Sequence, residues 1–163
     1  MRGFAKIDRA IESTQTVCCF IFFSVMVILG TVQVFGRYVL GISPPWAEEL
    51  IRFSCIWMAM IGSGLTIRVD GHVSVDILLG FMKSNKARFY LYVVSRIIAV
   101  VFLVLFFPAS VQLIISSTMS RAASIPLPYT YVYLAVPVGI VSMLLSYASA
   151  LPQFAMKYKR GDI

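Results

Sequence analysis

The sequence predicts an all-α integral membrane protein with four transmembrane helices and a short amphipathic cytoplasmic helix between spans two and three. Three observations carry that prediction. Four long apolar stretches fill the 163 residues, short basic segments punctuate them in a sided pattern, and a hydrophobic fraction of 60% with mean hydropathy +0.88 leaves no room for a separate soluble core. The spans fall at about 15-37, 47-68, 89-116 and 130-155 of a single membrane domain covering residues 1-163. Each is long enough, at about 1.5 Å per residue, to cross a hydrocarbon layer of about 30 Å. Each should be a helix, because a helix satisfies its own backbone polar groups in lipid.

Basic residues set the sidedness. Ten of the fourteen Lys and Arg side chains lie at the N-terminus (Arg2, Lys6, Arg9), in the middle loop (Arg68, Lys83, Lys86, Arg88) and at the C-terminus (Lys157, Lys159, Arg160). Only Arg37 and Arg121 fall in the other two loops. With four spans these groups alternate, so both termini and the middle loop are expected in the cytoplasm. The net charge of +7 is then a topology signal, and nucleic-acid binding is not expected, since no soluble segment carries a basic stripe with interleaved aromatics.

Each element has a local reason. Phe4, Ile7 and Ile11 recur at helical spacing, so the first helix is expected to begin as a surface-lying segment. Its apolar run is too long for a cleaved secretory signal and lacks a small-residue cleavage site. Pro44-Pro45 marks a stiff turn into the second span, and Trp46 should sit at the headgroup level. In the middle loop Val75, Leu79 and Met82 recur at helical spacing with Leu78 beside them, while Asp76, Lys83 and Lys86 offer polar groups, which suggests the amphipathic surface helix; Gly80 weakens it. The third span, about 40 Å long if helical throughout, must tilt, kink or protrude, and Pro108 supplies a kink. Tyr129, Tyr131 and Tyr133 form an aromatic girdle for the fourth span, whose inner end is anchored by Tyr158 and the basic C-terminus.

Enzyme signatures are sparse. A single His72 excludes a bis-histidine haem site or a histidine metal cluster from this chain alone. Gly62-Ser63-Gly64 resembles a phosphate loop only superficially, lying inside an apolar helix with no Lys after it, and is read as packing. Cys18, Cys19 and Cys55 lie inside spans and read as small packing residues. The sharpest constellation is in the second span, where Glu48, Arg52, Cys55, Ala59, Gly62 and Thr66 share one stripe; its outer end is charged and its lower part small, a surface suited to close approach by another helix. Cys19, Met26, Gly30, Gln33 and Arg37 repeat the arrangement in the first span, and Ala135, Gly139, Ser142, Ser146 and Ser149 in the fourth. Such faces suit either a self-contained bundle or one with a further protein neighbour. Arg37, Glu48, Glu49 and Arg52 can form a compact two-acid, two-base cluster worth about 1 to 3 kcal/mol if shielded from water. Ionisable groups cluster near the two surfaces, so the chain alone is a poor carrier or pump.

The run Phe35-Gly36-Arg37-Tyr38, then Pro45-Trp46-Ala47-Glu48-Glu49-Leu50-Ile51-Arg52, then Trp57, Gly62, Arg68, His72, Val75 and Asp76, with Pro126 and Pro137-Val138-Gly139 later, resembles the small membrane subunit (DctQ- or SiaQ-like) of tripartite ATP-independent periplasmic (TRAP) transporters. The resemblance covers nearly the whole chain and implies a bacterial inner-membrane complex. In that family a large elevator-type membrane subunit carries the substrate and sodium sites, and a soluble periplasmic binding protein delivers an organic acid: a C4-dicarboxylate, a sugar acid or a sialic acid. The small subunit would scaffold the large one and help to dock the binding protein, with no cofactor of its own. By resemblance, Arg37, Trp46, Glu48, Glu49, Arg52 and Gly62 are structural or interface residues, and Arg68, His72 and Asp76 support the inner turn. Capping or snorkelling of the same charged side chains is the alternative. Two other functions compete: a homo-oligomeric proton-coupled drug or cation exporter using Glu48 or Glu49, and a membrane thiol or quinone enzyme using Cys18-Cys19. The first is weakened by the position of both acids in the first turn of a helix, and the second because a buried thiol resists forming the reactive thiolate.

The basic-residue pattern predicts cytoplasmic activity for reporter fusions at Ile163 and periplasmic activity for fusions near Ser120. Periplasmic activity at Ile163 would overturn the topology.

Overall fold

In the computed structural model, residues 2–42, 44–68 and 85–160 are described, with side chains for 8–42, 44–68, 90 and 93–149. Five helices occupy them: α1 (Arg2–Val39), α2 (Pro45–Arg68), α3 (Asn85–Ser116), α4 (Thr130–Tyr133) and α5 (Ala135–Arg160). Four stretches of these helices are long and apolar enough to cross a membrane: Asp8–Val39, Pro45–Arg68, Val93–Ser116 and Thr130–Ser149. The surface helix expected between spans two and three, with Val75, Leu78, Leu79 and Met82, lies outside the described residues, as do His72 and Asp76.

Helix boundaries follow from local chemistry. At the end of α1 the Gly36 carbonyl accepts hydrogen bonds from the Leu40 and Ile42 amides at 3.1 and 3.0 Å, and Gly41, at φ +65°, turns the chain where a side chain would be strained. Pro45 then opens α2 in the position where a missing N–H costs nothing. Between α4 and α5 the helix breaks at Leu134, because Pro137 cannot donate to the Tyr133 carbonyl and its ring crowds it. By contrast, α3 runs through Pro108.

The helices form an open layer in the order α1, α2, α5, α3. α1 rests on α2, α2 on α5, and α3 mainly on α5, with α4 filling the corner above. α1 buries none of its most apolar window and α3 little, so both leave broad apolar faces outward, such as Phe20, Ile28 and Phe35 on α1 and Ile98, Phe102 and Leu105 on α3. The small core lies between α2, α3 and α5, around Ile67, Leu103, Ile140 and Tyr147. A polar group outside the sequence reading belongs to it: Arg96 of α3 is buried, with its guanidinium 5.2 Å from the centre of the Tyr147 ring.

Small residues decide how closely the middle pair approaches. The stripe Ala135, Gly139, Ser146 and Ser149 of α5 is buried, with Ser142 half-buried beside it. On α2 the buried face is Ala47, Ser54, Ile61, Gly64 and Ile67, rather than the expected stripe from Glu48 to Thr66, most of which faces outward. The heptad spacing of Ala47, Ser54 and Ile61 outweighs the small-residue pattern because α5 presents its own small face there. A Cβ on Gly139 would stand 2.7 Å from Met60 Cβ and 3.1 Å from the Met60 carbonyl oxygen, so even a methyl group must push the two backbones apart.

Gly139→Ala should therefore lower the stability of the detergent-solubilised chain by about 1 to 3 kcal/mol. Gly30→Ala, whose added Cβ meets nothing within 4 Å, should leave it unchanged or slightly raised. Thermal unfolding of the two variants beside the parent measures the contrast.

Candidate functional site

At the end of the layer that holds the N-terminus, three helices meet in a polar tie. Gln15 of α1 is buried, and its Nε2 donates to Ser142 Oγ at 2.6 Å and Ser146 Oγ at 3.3 Å on α5. To reach α5 it crosses α2 at Gly64, where a Cβ would stand 2.8 Å from Gln15 Nε2 and 2.7 Å from Ser142 Oγ. Gly64 is thus the gap through which α1 bonds to α5.

Arg68, the last residue of α2, enters the same tie. Its Nε donates to Ser146 Oγ at 3.2 Å, and its Nη1 pairs with the Asp8 carboxylate of α1 and donates to the Asp8 carbonyl at 3.4 Å. The Ser146 hydroxyl donates in turn to the Ser142 carbonyl at 3.0 Å. One hydroxyl thereby uses both lone pairs and its proton. The Arg68 and Asp8 side chains are only 8% and 15% exposed, which makes this a shielded pair rather than a surface one. Gln15 Oε1 and Arg68 Nη2 are buried and find no partner among the described residues.

The opposite end carries a second polar arrangement. Glu49 of α2 accepts from two consecutive backbone amides of the loop before α4: Ala123 N at 3.0 Å and Ser124 N at 3.2 Å on Oε1, with Ser124 N at 3.1 Å on Oε2. That loop is a narrow hairpin, closed by Ala122 N to the Leu127 carbonyl and Tyr129 N to the Ser120 carbonyl, both 3.0 Å. Its base is fixed by Tyr129, whose ring meets Phe53 edge-on at 5.9 Å and stacks on Tyr133 at 6.0 Å. Trp57 completes the join, donating Nε1–H to the Tyr131 carbonyl at 3.2 Å while stacking on Phe22 of α1.

The expected charge cluster does not form. Arg52 bonds Glu48 at 3.1 Å along one helix turn, with both side chains 62% exposed, and Glu49 turns to the hairpin. Arg37 is exposed at the end of α1 and pairs with neither acid. Glu48 and Glu49 are neighbours in sequence and so diverge by about 100° around the helix. Trp46 is part-exposed in the first turn of α2. A Cβ on Gly62 would meet Cys19 Sγ at 3.6 Å, an ordinary contact, so the tight position is Gly64. Arg68, the last residue of α2, is bonded to Asp8 and Ser146. The sequence reading missed Asp8 and Gln15. They sit seven residues apart on one face of α1, and that polar heptad step was the available signal.

The profile of the family described as "Tripartite ATP-independent periplasmic transporters, DctQ component" matches residues 26–155. The chain is similar to the C4-dicarboxylate TRAP transporter small permease protein DctQ of Rhodobacter capsulatus, with 29% identity over 122 residues, 71% of this chain and 51% of the relative. It is also similar to the protein of the same name from Vibrio cholerae serotype O1, with 24% identity over 87 residues, 53% of this chain and 38% of the relative. The matched part spans about half or less of the length of these relatives.

Substitutions at the two ends should differ in cost. Arg68→Leu strands the shielded Asp8 carboxylate and should cost ~2–4 kcal/mol, whereas Arg52→Leu breaks an exposed pair and should cost less than about 1 kcal/mol. Gln15→Leu should fall between, because it loses two hydrogen bonds but also removes an unpartnered buried carbonyl. Denaturant titration of the three purified variants ranks them; equal losses for Arg52→Leu and Arg68→Leu would show that the tie is not shielded.

Proposed function

The chain belongs to the DctQ component family of tripartite ATP-independent periplasmic transporters, and we propose that it is the small permease subunit of a sodium-coupled inner-membrane carrier for C4-dicarboxylates. The observation that carries this reading is the open layer itself. A self-sufficient carrier encloses its substrate between helices, whereas here four spans stand in a row and leave α1 and α3 with wide outward apolar faces. Such a layer supports the role of a wall: it widens the footprint of the large membrane subunit in the bilayer and braces it while that subunit moves. The large subunit then holds the sodium and substrate sites, and a soluble periplasmic binding protein delivers the acid. A C4-dicarboxylate is the substrate named for both relatives, which favours it over a sugar acid or a sialic acid.

The exporter reading loses support from the geometry of its carboxylates. Proton coupling needs a carboxyl group that trades partners within the membrane, but Glu48 is exposed beside Arg52 at a helix end and Glu49 is held by loop amides. The thiol reading fares no better, since the Cys19 thiol is taken up in the contact between α1 and α2, toward the Met58 carbonyl at 3.9 Å.

Liposomes holding this chain alone should show no sodium-driven succinate uptake. Liposomes that also hold the large membrane subunit should show it when the loaded binding protein is added outside. Robust uptake by the chain alone would contradict the proposal and restore the exporter reading.

A further inference from the structure

We infer that Glu49 is a positioning residue for docking: it holds the hairpin of residues 120–129 against α2 so that Arg121 meets an acidic face of the soluble binding component. The inference rests on the small-permease reading and goes beyond it by naming the contact. Three facts lead to it. First, a carboxylate that could have paired with Arg52 or Arg37 spends its acceptors on two consecutive loop amides from a residue 74 positions earlier. Successive N–H groups form a concavity suited to an anion, and an internal anion there fixes the shape of the loop. Second, the loop so fixed is exposed: Met119 is 95% exposed, and Arg121, Ala123, Ser124 and Pro126 are open to solvent. Third, the charge at this end is unbalanced. Glu48 is matched by Arg52 and Glu49 is consumed by the amides, which leaves Arg37 and Arg121 as exposed cations outside any ion pair among the described residues. A surface of rigid backbone, apolar Met119 and uncompensated arginine is complementary to an acidic protein face with an apolar neighbour.

The test uses the complete transporter in liposomes: this chain with its large membrane subunit, labelled succinate as the probe, and uptake measured against the concentration of succinate-loaded binding protein. Arg121→Glu should raise the half-saturating binding-protein concentration about five- to tenfold, more at low salt than at high, with the maximal rate and the co-purification yield of the large subunit unchanged. Glu49→Ala should raise it similarly, and Glu49→Gln, which keeps one acceptor oxygen, should raise it less. An unchanged half-saturation for Arg121→Glu overturns the inference. A lower maximal rate or yield for Glu49→Ala at unchanged half-saturation also overturns it, because the clip would then be merely structural. Parent uptake that ignores the binding protein would be a different failure, that of the small-permease reading itself.

Discussion

The hydroxyl of Ser146 joins three helices that have little other reason to stay in register. It accepts from Gln15 on α1 and Arg68 on α2 and donates to its own helix on α5. In lipid, apolar side chains gain little by leaving hydrocarbon for one another, so apolar contacts alone place helices loosely. Polar groups lack that freedom, because each one left without a partner costs a large part of its desolvation. The tie therefore sets which faces of α1, α2 and α5 meet, and Gly64 is what permits it. Gly139 against Met60 then fixes how close α2 and α5 come, and α3 leans on the far side of α5 through Arg96, Tyr147 and Leu103.

The shape that follows is not closed. The tie draws α1 onto α2 and α5, α3 rests mainly on the other flank of α5 with Leu103 reaching the core around Ile67, and the outer faces are left to the bilayer or to another protein. This is the physical sense in which a small permease can be a wall. Its polar groups are spent holding its own helices together at one end and shaping a loop at the other.

Four helices long and apolar enough to span a membrane were legible because apolar length is a property of the sequence alone. The small face of α5 was legible for a similar reason, since Ala135, Gly139, Ser142, Ser146 and Ser149 recur at helical spacing and have no competing pattern on that helix. On α2 two small stripes compete, one through Gly62 and one through Gly64, and only the partner helix decides between them. Charges were read less well. Glu48, Glu49, Arg52 and Arg37 are close in sequence, which suggests a cluster, but the true partner of Glu49 is a loop 74 residues later. Likewise the partner of Arg68 is Asp8, 60 residues earlier, and nothing local to either residue announces it. Long-range polar pairing is set by helix order, and helix order is the feature that composition and periodicity leave open.

A distance between α1 and α3 tests the open row most directly. Spin labels at Phe20 and Leu105, both exposed on their helices, can be introduced into a chain whose three cysteines are replaced and measured in a lipid nanodisc by double electron–electron resonance. Neighbouring helices lie about 8 to 10 Å apart, so the row α1, α2, α5, α3 predicts roughly 20 to 30 Å between the two helices. A closed four-helix bundle, in which α1 and α3 are neighbours, would bring them to about 10 Å and would contradict the open layer on which the scaffold role rests.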